Sequence, residues 1–562
     1  MPRIKKSEPE EYKRSKSIWF LVYLVIALLG VATTWIQMMP DKRIVRQSQK
    51  QYWANVAVSA SRGEITDRNN IPLAVSVPAT SFFIDPKYWN PKSADVLTST
   101  FGKQISKKFA SPLSGRFYWV ERNVSVDRAS SLTSKKVPGL YTLTEKKRVY
   151  PLGSLAFHIL GFCDIDDYGQ AGVELAWNHI LFSPPRTRYL TRGAHGSSKS
   201  IAGEKLGSKD TCGSIKLTID SKIQQIVEWR LNEAAKNVDA LWAAAVCVDP
   251  STGEVIALAS YPTLDANNRK TLLENKEAVR NNVVGRVYEP GSIFKPITMS
   301  MAMDYGSANS NSKYRCTGSI VVADRVISDV NKKAHGIQNL TQVLMNSCNI
   351  GMSIISGGVP RHIAYGMLKQ FGFGEKSGIE MAGEESGLVR APEEWLGSSA
   401  ANVFIGQGIA ITPLQEVMAI ASIANGGFLL KPYIISEVRD SFGNIIHSGS
   451  RRVRYQSVSQ STARFISASM KKVVSEGGGI SAKSSIVDIA GKTGTAQVAS
   501  SGEYAKGRYV ASFVGFWPAD KPRYVLLVTL GEPKGGRYYG SQLSAPVFKS
   551  IVEDIAQMAP TK

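Results

Sequence analysis

A serine and a lysine three positions apart, Ser292 and Lys295, have the types and spacing best suited to covalent chemistry. They lie in the run EPGSIFKP (residues 289–296), where a Pro-Gly turn directly precedes an apolar stretch, so we expect Ser292 at or near a helix N-terminus. Unpaired N–H groups and the positive end of the helix dipole favour an alkoxide there and can supply an oxyanion donor. Lys295 lies one turn further on the same face, where its amine can reach the serine hydroxyl.

This spacing alone leaves two interpretations open. As a catalytic pair, Ser292 is the nucleophile and Lys295 its base. Because an amine is a base only when neutral, the site must then lower the lysine pKa through burial or another cation. As a structural pair, the serine caps a helix and the lysine is solvated, and Ser-x-x-Lys alone is common by chance.

Two further runs favour the catalytic interpretation. Ser347-Cys348-Asn349 follows Ser292 in the chain, and Lys492-Thr493-Gly494-Thr495 comes after it. The order Ser-x-x-Lys, Ser-x-Asn and Lys-Thr-Gly is that of one class of serine acyl-transfer sites. The glycine of the last run would let a strand approach a bound peptide closely, while its lysine and threonine hydroxyls can hold a carboxylate.

The elements around these runs predict an α+β domain. Asp220 and Thr412 are suited to cap two helices. We predict helices over 221–235 and Pro413–Ala424, and hairpins that pair 243–248 with 255–260 and 509–517 with 523–530. Strands at both ends with helices between them indicate a central antiparallel sheet that is flanked by helices and closed by the C-terminal strands.

The chain as a whole is too long for one hydrophobic core. It has 562 residues, and cores stop growing at roughly 250 to 300 residues, so we expect two or more domains. A composition of 43% hydrophobic and 20% charged residues excludes a disordered or polytopic membrane protein. The net charge of +22 suits nucleic acid, anionic lipid or an acidic polymer, or simply a solvated surface. Five scattered cysteines and six histidines without paired spacing imply neither a disulfide framework nor a metal site.

One apolar segment predicts where the protein resides. The stretch from Ile18 to Ile36 contains no charge and, as a helix, would cross a hydrocarbon layer of about 30 Å. Trp19, Tyr23 and Trp35 lie toward its ends, as interfacial anchors do. The alternative is a cleaved signal peptide, which the length of the stretch and the lack of an Ala-x-Ala site disfavour. We expect a single-pass anchor with a cytoplasmic N-terminus and an extracytoplasmic catalytic domain.

With these features the chain resembles the class B penicillin-binding proteins, which are bacterial cell-wall D,D-transpeptidases. Besides the three active-site runs, the resemblance rests on the runs RGEITDR (62–68), RVYP (148–151), GVE (172–174), LTID (217–220), GQG (406–408) and SFVGF (512–516). It implies a single-pass anchor, a mostly extended, β-rich pedestal domain and a transpeptidase domain. With the basic Gly/Ser-rich stretch before residue 214, we expect a cytoplasmic tail at 1–17, the transmembrane anchor at 18–39, the pedestal (dimerisation-type) domain at 40–214 and the transpeptidase domain at 215–562.

The resemblance implies the acyl-transfer roles of four residues. Ser292 would attack the carbonyl of the penultimate D-Ala of a stem peptide, and Lys295 would take its proton. Ser347 would relay a proton to the departing D-Ala. Asn349 would orient Lys295 and the substrate amide.

It also implies how the substrate is held. Lys492 would keep the field positive, while Thr493 and Thr495, beside Gly494, would hold the terminal carboxylate. The N–H groups of Ser292 and Thr495 would form the oxyanion hole. No metal or other cofactor is implied, and β-lactams are expected as covalent inhibitors.

Within the family, Glu289 and the run 406–415 are most similar to division-type transpeptidases, whereas Cys348 and Gly531 depart from that group. We expect septal cross-linking during cell division. The alternatives are an elongation- or sporulation-type transpeptidase, or a membrane-anchored β-lactam sensor or scaffold without turnover. The expected partners are peptidoglycan stem peptides, a SEDS-family glycan polymerase, other divisome membrane proteins and the inner membrane, but no nucleic acid. The run EEWLG at 393–397 resembles a deacylating element of β-lactamases but lacks its Asn, which makes a β-lactamase the weaker interpretation.

Overall fold

The computed structural model describes residues 10–38, 53–58, 61–115, 117–184, 186–192, 198–199, 212–323, 325–500 and 503–558. The chain divides into two compact units. One consists of residues 1–60 and 184–208, and the other of residues 61–183 and 209–562.

The first unit contains the predicted anchor. A helix runs over Glu10–Met38, and its part Arg14–Met38 is long and apolar enough to cross a membrane, with a mean hydropathy of 2.1. The apolar side chains of this part are exposed, so they have no protein core to pack into, as expected of a helix that contacts lipid. The predicted stretch from Ile18 to Ile36 lies wholly within this helix.

The strands, in chain order, are β1 Trp53–Val58, β2 Ile65–Thr66, β3 Pro72–Ile84, β4 Tyr118–Ser125, β5 Leu140–Val149, β6 Arg186–Arg192, β7 Ser198–Lys199, β8 Ser214–Leu217, β9 Trp242–Val248, β10 Val255–Tyr261, β11 Lys313–Cys316, β12 Ser319–Val322, β13 Arg325–Ser328, β14 Gly336–Asn339, β15 Phe428–Leu430, β16 Ile435–Arg439, β17 Ile445–Ser448, β18 Val453–Gln456, β19 Ala490–Ser500, β20 Glu503–Trp517 and β21 Tyr524–Gly531. The α-helices of the second unit are Thr98–Phe101, Lys103–Lys108, Val126–Thr133, Phe157–Leu160, Gly172–Ala176, Asn178–Leu181, Ser221–Asn237, Arg269–Glu274, Lys276–Val279, Asn282–Gly285, Lys295–Tyr305, Leu340–Met345, Asn349–Ser356, Arg361–Gln370, Ser399–Phe404, Pro413–Ala424, Gln460–Ser475 and Ser544–Met558.

A five-stranded antiparallel sheet in the order β10-β9-β21-β20-β19 is the centre of the C-terminal part. Both faces of β9 are covered, which is why its run is apolar throughout. Alternate side chains of β9 cluster with the helices Ser221–Asn237 and Ser544–Met558, and those between them cluster with Pro413–Ala424. The two predicted hairpins are confirmed as the pairs β9–β10 and β20–β21, and the predicted α+β class is correct.

The two predicted helix caps are present. The Asp220 carboxylate accepts hydrogen bonds from the N–H groups of Lys222 and Ile223, at 3.0 and 3.3 Å, and its helix extends to Asn237, two residues beyond the predicted end. Thr412 forms a capping box with Gln415, because each side chain accepts the other residue's backbone N–H.

A second sheet joins strands from both sides of the predicted boundary at residue 214. Its order is β17-β16-β8-β2-β3-β4, with β5 also paired to β3. β8 runs parallel to β2 and antiparallel to β16, so the start of the predicted transpeptidase domain adds a strand to the pedestal sheet.

Three of the pedestal runs converge on one buried ion cluster. The Glu174 carboxylate receives Arg62 Nε at 2.6 Å and Arg148 Nε at 2.7 Å, and all three side chains are almost fully buried. Burial raises the pKa of Glu174, but the charges of Arg148 and Arg62 outweigh it, so the pKa lies below its usual value. This cluster ties together three segments that are far apart in the chain.

Candidate active site

Ser292 lies in a tight turn that leads into a helix. A 3₁₀ turn over Gly291–Phe294 is followed directly by the helix Lys295–Tyr305, as expected. Gly291 has a φ of +59° and donates its N–H to the Gly406 carbonyl at 2.9 Å, a left-handed conformation that favours glycine. Ile293 and Phe294 are fully buried, whereas Ser292 is half-buried. The turn therefore presents the serine at the surface of the core.

The Lys295 amine is buried and held by the second run. Its Nζ donates to the Ser347 carbonyl and to Asn349 Oδ1, both at 2.6 Å, and lies 3.3 Å from Ser347 Oγ. Burial lowers the pKa of Lys295 to about 8, although the nearby Asp329 and Cys348 act in the opposite direction. Among the described residues no hydrogen bond joins this amine to the Ser292 hydroxyl, so the contact expected from their spacing is absent.

The second run is a strained turn followed by a helix. Ser347 has a φ of +54°, which is uncommon for a residue other than glycine. Cys348 then caps the helix Asn349–Ser356 by accepting the Gly351 N–H at 3.2 Å. Asn349 donates its Nδ2 to the Ser328 carbonyl at 2.8 Å, which aims its Oδ1 at Lys295. The turn thus projects the Ser347 hydroxyl and the Asn349 amide toward the same amine.

The third run lies on β19, and its lysine contacts the same serine. Lys492 Nζ donates to Ser347 Oγ and to the Thr493 carbonyl, both at 3.0 Å. The side chain is fully buried, and burial together with the charge of Lys295 lowers the pKa of Lys492 well below its usual value. Both amines therefore contact one hydroxyl. Because they are buried close together, a proton on one amine disfavours a proton on the other.

The glycine of the third run is required by the turn that carries Ser292. A Cβ at Gly494 would lie 2.8 Å from Ile293 Cγ2 and 3.1 Å from the Ile293 nitrogen, so β19 can cross the turn only without a side chain there. Thr493 and Thr495 remain half-buried at the surface of the site, and Thr495 Oγ1 accepts the Gly540 N–H at 3.0 Å. The sequence offered a different reason for this glycine, the approach of a bound peptide.

Two positioning groups were missed by sequence reasoning. Asp329, which lies in none of the quoted runs, is buried and accepts the Asn349 N–H. Glu289 was used only as a mark of the subgroup, yet it accepts the Gly408 N–H at 3.0 Å and the Tyr504 hydroxyl at 3.1 Å, and so holds the start of the turn that carries Ser292. None of these contacts has a signal in the sequence, because Asp329 lies 20 residues from Asn349 and Glu289 lies more than 100 residues from Gly408 and from Tyr504.

Two known domain families match the chain. Residues 243–553 match the penicillin binding protein transpeptidase domain, and residues 57–203 match the penicillin-binding protein dimerisation domain. The transpeptidase match contains all three active-site runs.

Relatives and solved structures agree with these matches. The chain is 31% identical over 550 residues to the peptidoglycan D,D-transpeptidase FtsI of Escherichia coli (strain K12). The aligned region covers 94% of this chain and 89% of that protein. It is 29% identical over 554 residues to the stage V sporulation protein D of Bacillus subtilis (strain 168), covering 96% and 85%. The crystal structure of penicillin binding protein 3 from Mycobacterium tuberculosis is similar with a TM-score of 0.69 and 26% identity, covering 90% of this chain and 98% of that one. That protein has also been solved with aztreonam and with ampicillin.

Proposed function

The chain belongs to the class B penicillin-binding proteins and is a peptidoglycan D,D-transpeptidase, and we propose that it forms its acyl-enzyme on Ser292 and acts in septal wall synthesis. The observation that carries the assignment of the site is the arrangement of Lys295 and Lys492 around the Ser347 hydroxyl, beside the turn that presents Ser292. The serine would accept the acyl group of the penultimate D-Ala, release the terminal D-Ala, and pass the acyl group to an amine of a neighbouring stem peptide.

The first step needs a neutral amine beside Ser292. In the free site Lys295 is the better place for the single proton of the pair, because it has three acceptors and a nearby carboxylate, Asp329. Among the described residues Lys492 has two neutral acceptors, and its pKa is lowered by burial and by the charge of Lys295 rather than raised by a carboxylate. Lys295 must therefore give up its proton before it can act as a base.

The substrate itself can move that proton. A stem peptide brings a terminal carboxylate, which we place beside Thr493 and Thr495, and its negative charge raises the pKa of Lys492. The proton then passes from Lys295 through the Ser347 hydroxyl to Lys492, along contacts of 3.3 and 3.0 Å. Lys295 becomes the neutral base for Ser292, and Lys492 becomes the cation beside the substrate. Ser347 later returns a proton to the departing D-Ala.

The remaining site residues orient and stabilise. Asn349 holds the Lys295 amine through its Oδ1 and is itself fixed by Asp329. The N–H groups of Ser292 and Thr495 would receive the oxyanion, since Gly494 lets β19 lie against the nucleophile turn.

Labelling with a fluorescent penicillin, followed by peptide mapping, tests the nucleophile. We expect one adduct, on Ser292, that persists for many minutes, because Glu393 is exposed in the turn Pro392–Glu394 and offers no base for a deacylating water. Ser292→Ala should lose the label, whereas Ser300→Ala, a buried serine on the following helix, should keep it. An adduct on another residue, or turnover within seconds, would contradict the assignment.

The septal role is supported by the similarity to FtsI, and a sporulation role by the similar identity to the stage V sporulation protein. We propose septal cross-linking, and the phenotype on depletion separates the alternatives. Filaments without septa support the division role, whereas round cells indicate elongation and a defect confined to spores indicates sporulation. A Ser292→Ala chain that restores growth would instead support a scaffold without turnover.

We also propose the four segments and the topology expected from the sequence, with a cytoplasmic N-terminus and an extracytoplasmic catalytic domain. The match of residues 57–203 to a dimerisation domain supports a pedestal without polymerase activity, so a SEDS-family polymerase and other divisome membrane proteins are the proposed partners. Purified full-length protein should leave lipid-linked disaccharide-pentapeptide unpolymerised until such a polymerase is added. Glycan chains made by the protein alone would overturn this proposal.

A further inference from the structure

A cavity of about 390 Å³ lies beyond the third active-site run, toward the end of β19. Its wall contains Gln497 of β19, Trp242, where β9 begins, and Glu532, which directly follows β21. Glu289, three residues before Ser292, also lines it. The cavity therefore lies next to the turn that presents the proposed nucleophile, yet the acyl-transfer steps proposed above use none of the four side chains that line it.

The charged groups of the cavity have both signs. Arg286 and Arg390 line it together with Glu289 and Glu532. Arg286 and the two carboxylates are half-buried, whereas Arg390 is exposed at the rim. A cavity with both cations and carboxylates is suited to a ligand group that itself carries a negative and a positive charge close together.

Arg286 is oriented firmly but paired weakly. Its Nε donates to Asn282 Oδ1 at 2.8 Å, and its guanidinium carbon lies 5.0 Å from the centre of the Trp242 ring. Its ion pair with Glu277 is 3.8 Å long, and that carboxylate is 88% exposed, so the pair contributes little. The guanidinium can therefore bind a ligand carboxylate without first breaking a strong ion pair.

Glu289 is held by neutral donors. Its carboxylate accepts the Gly408 N–H and the Tyr504 hydroxyl, and among the described residues it forms no ion pair. Burial raises the pKa of Glu289, because these two hydrogen bonds only partly offset the loss of solvent. A ligand ammonium in the cavity would stabilise the charged form of this carboxylate.

The direction of the substrate determines which of its groups reaches the cavity. With the terminal carboxylate beside Thr493 and Thr495 and the reacting carbonyl at the Thr495 N–H, the stem peptide runs antiparallel to β19. β19 is the last strand in the order of its sheet, so its free edge can pair with an extended peptide. At about 3.3 Å per residue, the third stem residue, which precedes the penultimate D-Ala, then comes beside Gln497.

We propose that this cavity binds the side chain of the third stem residue and selects a diamino diacid over lysine at that position. The side chain of the diamino diacid ends in an ammonium and a carboxylate on one carbon, whereas that of lysine ends in an ammonium alone. Arg286 donates to the carboxylate, and Arg390 adds positive charge at the rim. Glu289 accepts from the ammonium, since Glu532 already pairs with Arg508 at 2.5 Å.

The selection is tested with purified full-length protein and three soluble donor peptides that end in D-Ala–D-lactate. They differ only in the third residue, which is the diamino diacid, lysine or norleucine. Mass spectrometry of the intact protein after brief reaction gives the rate constant for acyl-enzyme formation, and protection of Ser292 from fluorescent penicillin compares the same peptides by binding. We expect the diamino diacid to exceed lysine by about tenfold, the effect of one charge-assisted hydrogen bond, and lysine to exceed norleucine. Equal values for the first two, or a preference for lysine, would overturn the proposal.

Two substitutions assign the charged groups. Arg286→Gln should bring the ratio of diamino diacid to lysine close to one, because it removes the charge that faces the ligand carboxylate. Glu289→Gln, which keeps an acceptor for Gly408, should do the same to the ratio of lysine to norleucine. Since all donors react at Ser292, these ratios cancel any effect of either change on the turn. Arg464→Gln, at an exposed arginine of the helix Gln460–Ser475, is the control and should keep both ratios. A ratio that survives its substitution would contradict the assignment of that group.

This inference rests on the proposed function, because Ser292 and Thr495 determine where the peptide lies. The two can fail separately. If neither penicillin nor any donor reacts at Ser292, the proposed function fails. If penicillin reacts at Ser292 and the three donors show equal rates and equal protection, the proposed function stands and the cavity does not select the third residue.

Discussion

The acylation rate of Ser292 should fall as the pH rises above neutrality, although its proposed base is a lysine. The reason is that the two lysines are proposed to share one proton, which the substrate carboxylate moves from Lys295 to Lys492. The reactive enzyme must therefore hold that proton when the substrate arrives. Above the pKa of Lys295 in the free enzyme, the proton is lost to solvent and Lys492 cannot become the cation that faces the carboxylate.

The size of the fall follows from the pKa of Lys295. With a value of about 8, roughly nine-tenths of the sites hold the proton at pH 7 and roughly one-tenth at pH 9, so the second-order rate constant should fall about tenfold. If Lys295 instead had to lose its proton to solvent before acting as a base, the same value would give a tenfold rise. The two mechanisms thus predict opposite changes in the rate constant between pH 7 and pH 9.

The measurement is the second-order rate constant for acylation by a fluorescent penicillin, from pH 6 to pH 9.5, with brief reactions and circular dichroism at each pH to exclude unfolding. Lys492→Met supplies the internal comparison, because Lys295 then has no proton acceptor within the pair. This variant should react slowly, and its rate should rise with pH. A wild-type rate that rises tenfold between pH 7 and pH 9 would refute the transfer of the proton between the lysines.

Three further substitutions test single contacts. Lys295→Ala should abolish acylation while Lys549→Ala, a half-exposed lysine of the C-terminal helix, leaves it unchanged; acylation of the first variant at the wild-type rate would remove Lys295 as the base. Gly494→Ala should lower the free energy of unfolding by about 1–3 kcal/mol and slow acylation, because its Cβ would lie 2.8 Å from Ile293 Cγ2; an unchanged melting temperature and rate would contradict this. Glu174→Ala should destabilise the fold by about 3–5 kcal/mol, because it leaves Arg62 and Arg148 buried without the carboxylate that both contact. Denaturant unfolding checks this last change, and a loss below 1 kcal/mol would contradict it, with Glu233→Ala on a half-exposed surface pair as the control.

The elements of the central sheet could be predicted because their signals are local. The residues of β9 are apolar on both faces, and the turn that follows them contains Pro250 and Gly253. A stretch of about twenty residues is therefore enough to predict the hairpin β9–β10. The caps at Asp220 and Thr412 are equally local, since each side chain bonds N–H groups two or three residues away. The pairing of β8 with β2 was not predicted, because it joins strands about 150 residues apart, and a short strand contains no signal for its partner.

The same distinction applies to the site. The proposed roles of nucleophile, base and carboxylate-binding strand restrict the residue types at fixed spacings, so Ser292, Lys295 and Lys492 stand out in the sequence. The residues that position these side chains need only offer a hydrogen-bond acceptor in the right place. Asp329 meets that need from the residue directly after β13, and its contact with Asn349 becomes visible only in the fold.

The direction of the Lys295 amine shows what spacing can and cannot establish. A separation of three residues places two side chains on one face of a helix, but the rotamer of a long side chain is set by the acceptors that surround it. Here three acceptors from Ser347 and Asn349 outcompete the Ser292 hydroxyl and draw the amine toward Lys492. Because both amines then contact Ser347 Oγ, the ionisation of either lysine depends on the other. In the proposed mechanism the base is consequently a property of the pair and of the substrate carboxylate placed beside it, which is why residue types and spacing point to the participants but not to the lysine that holds the proton.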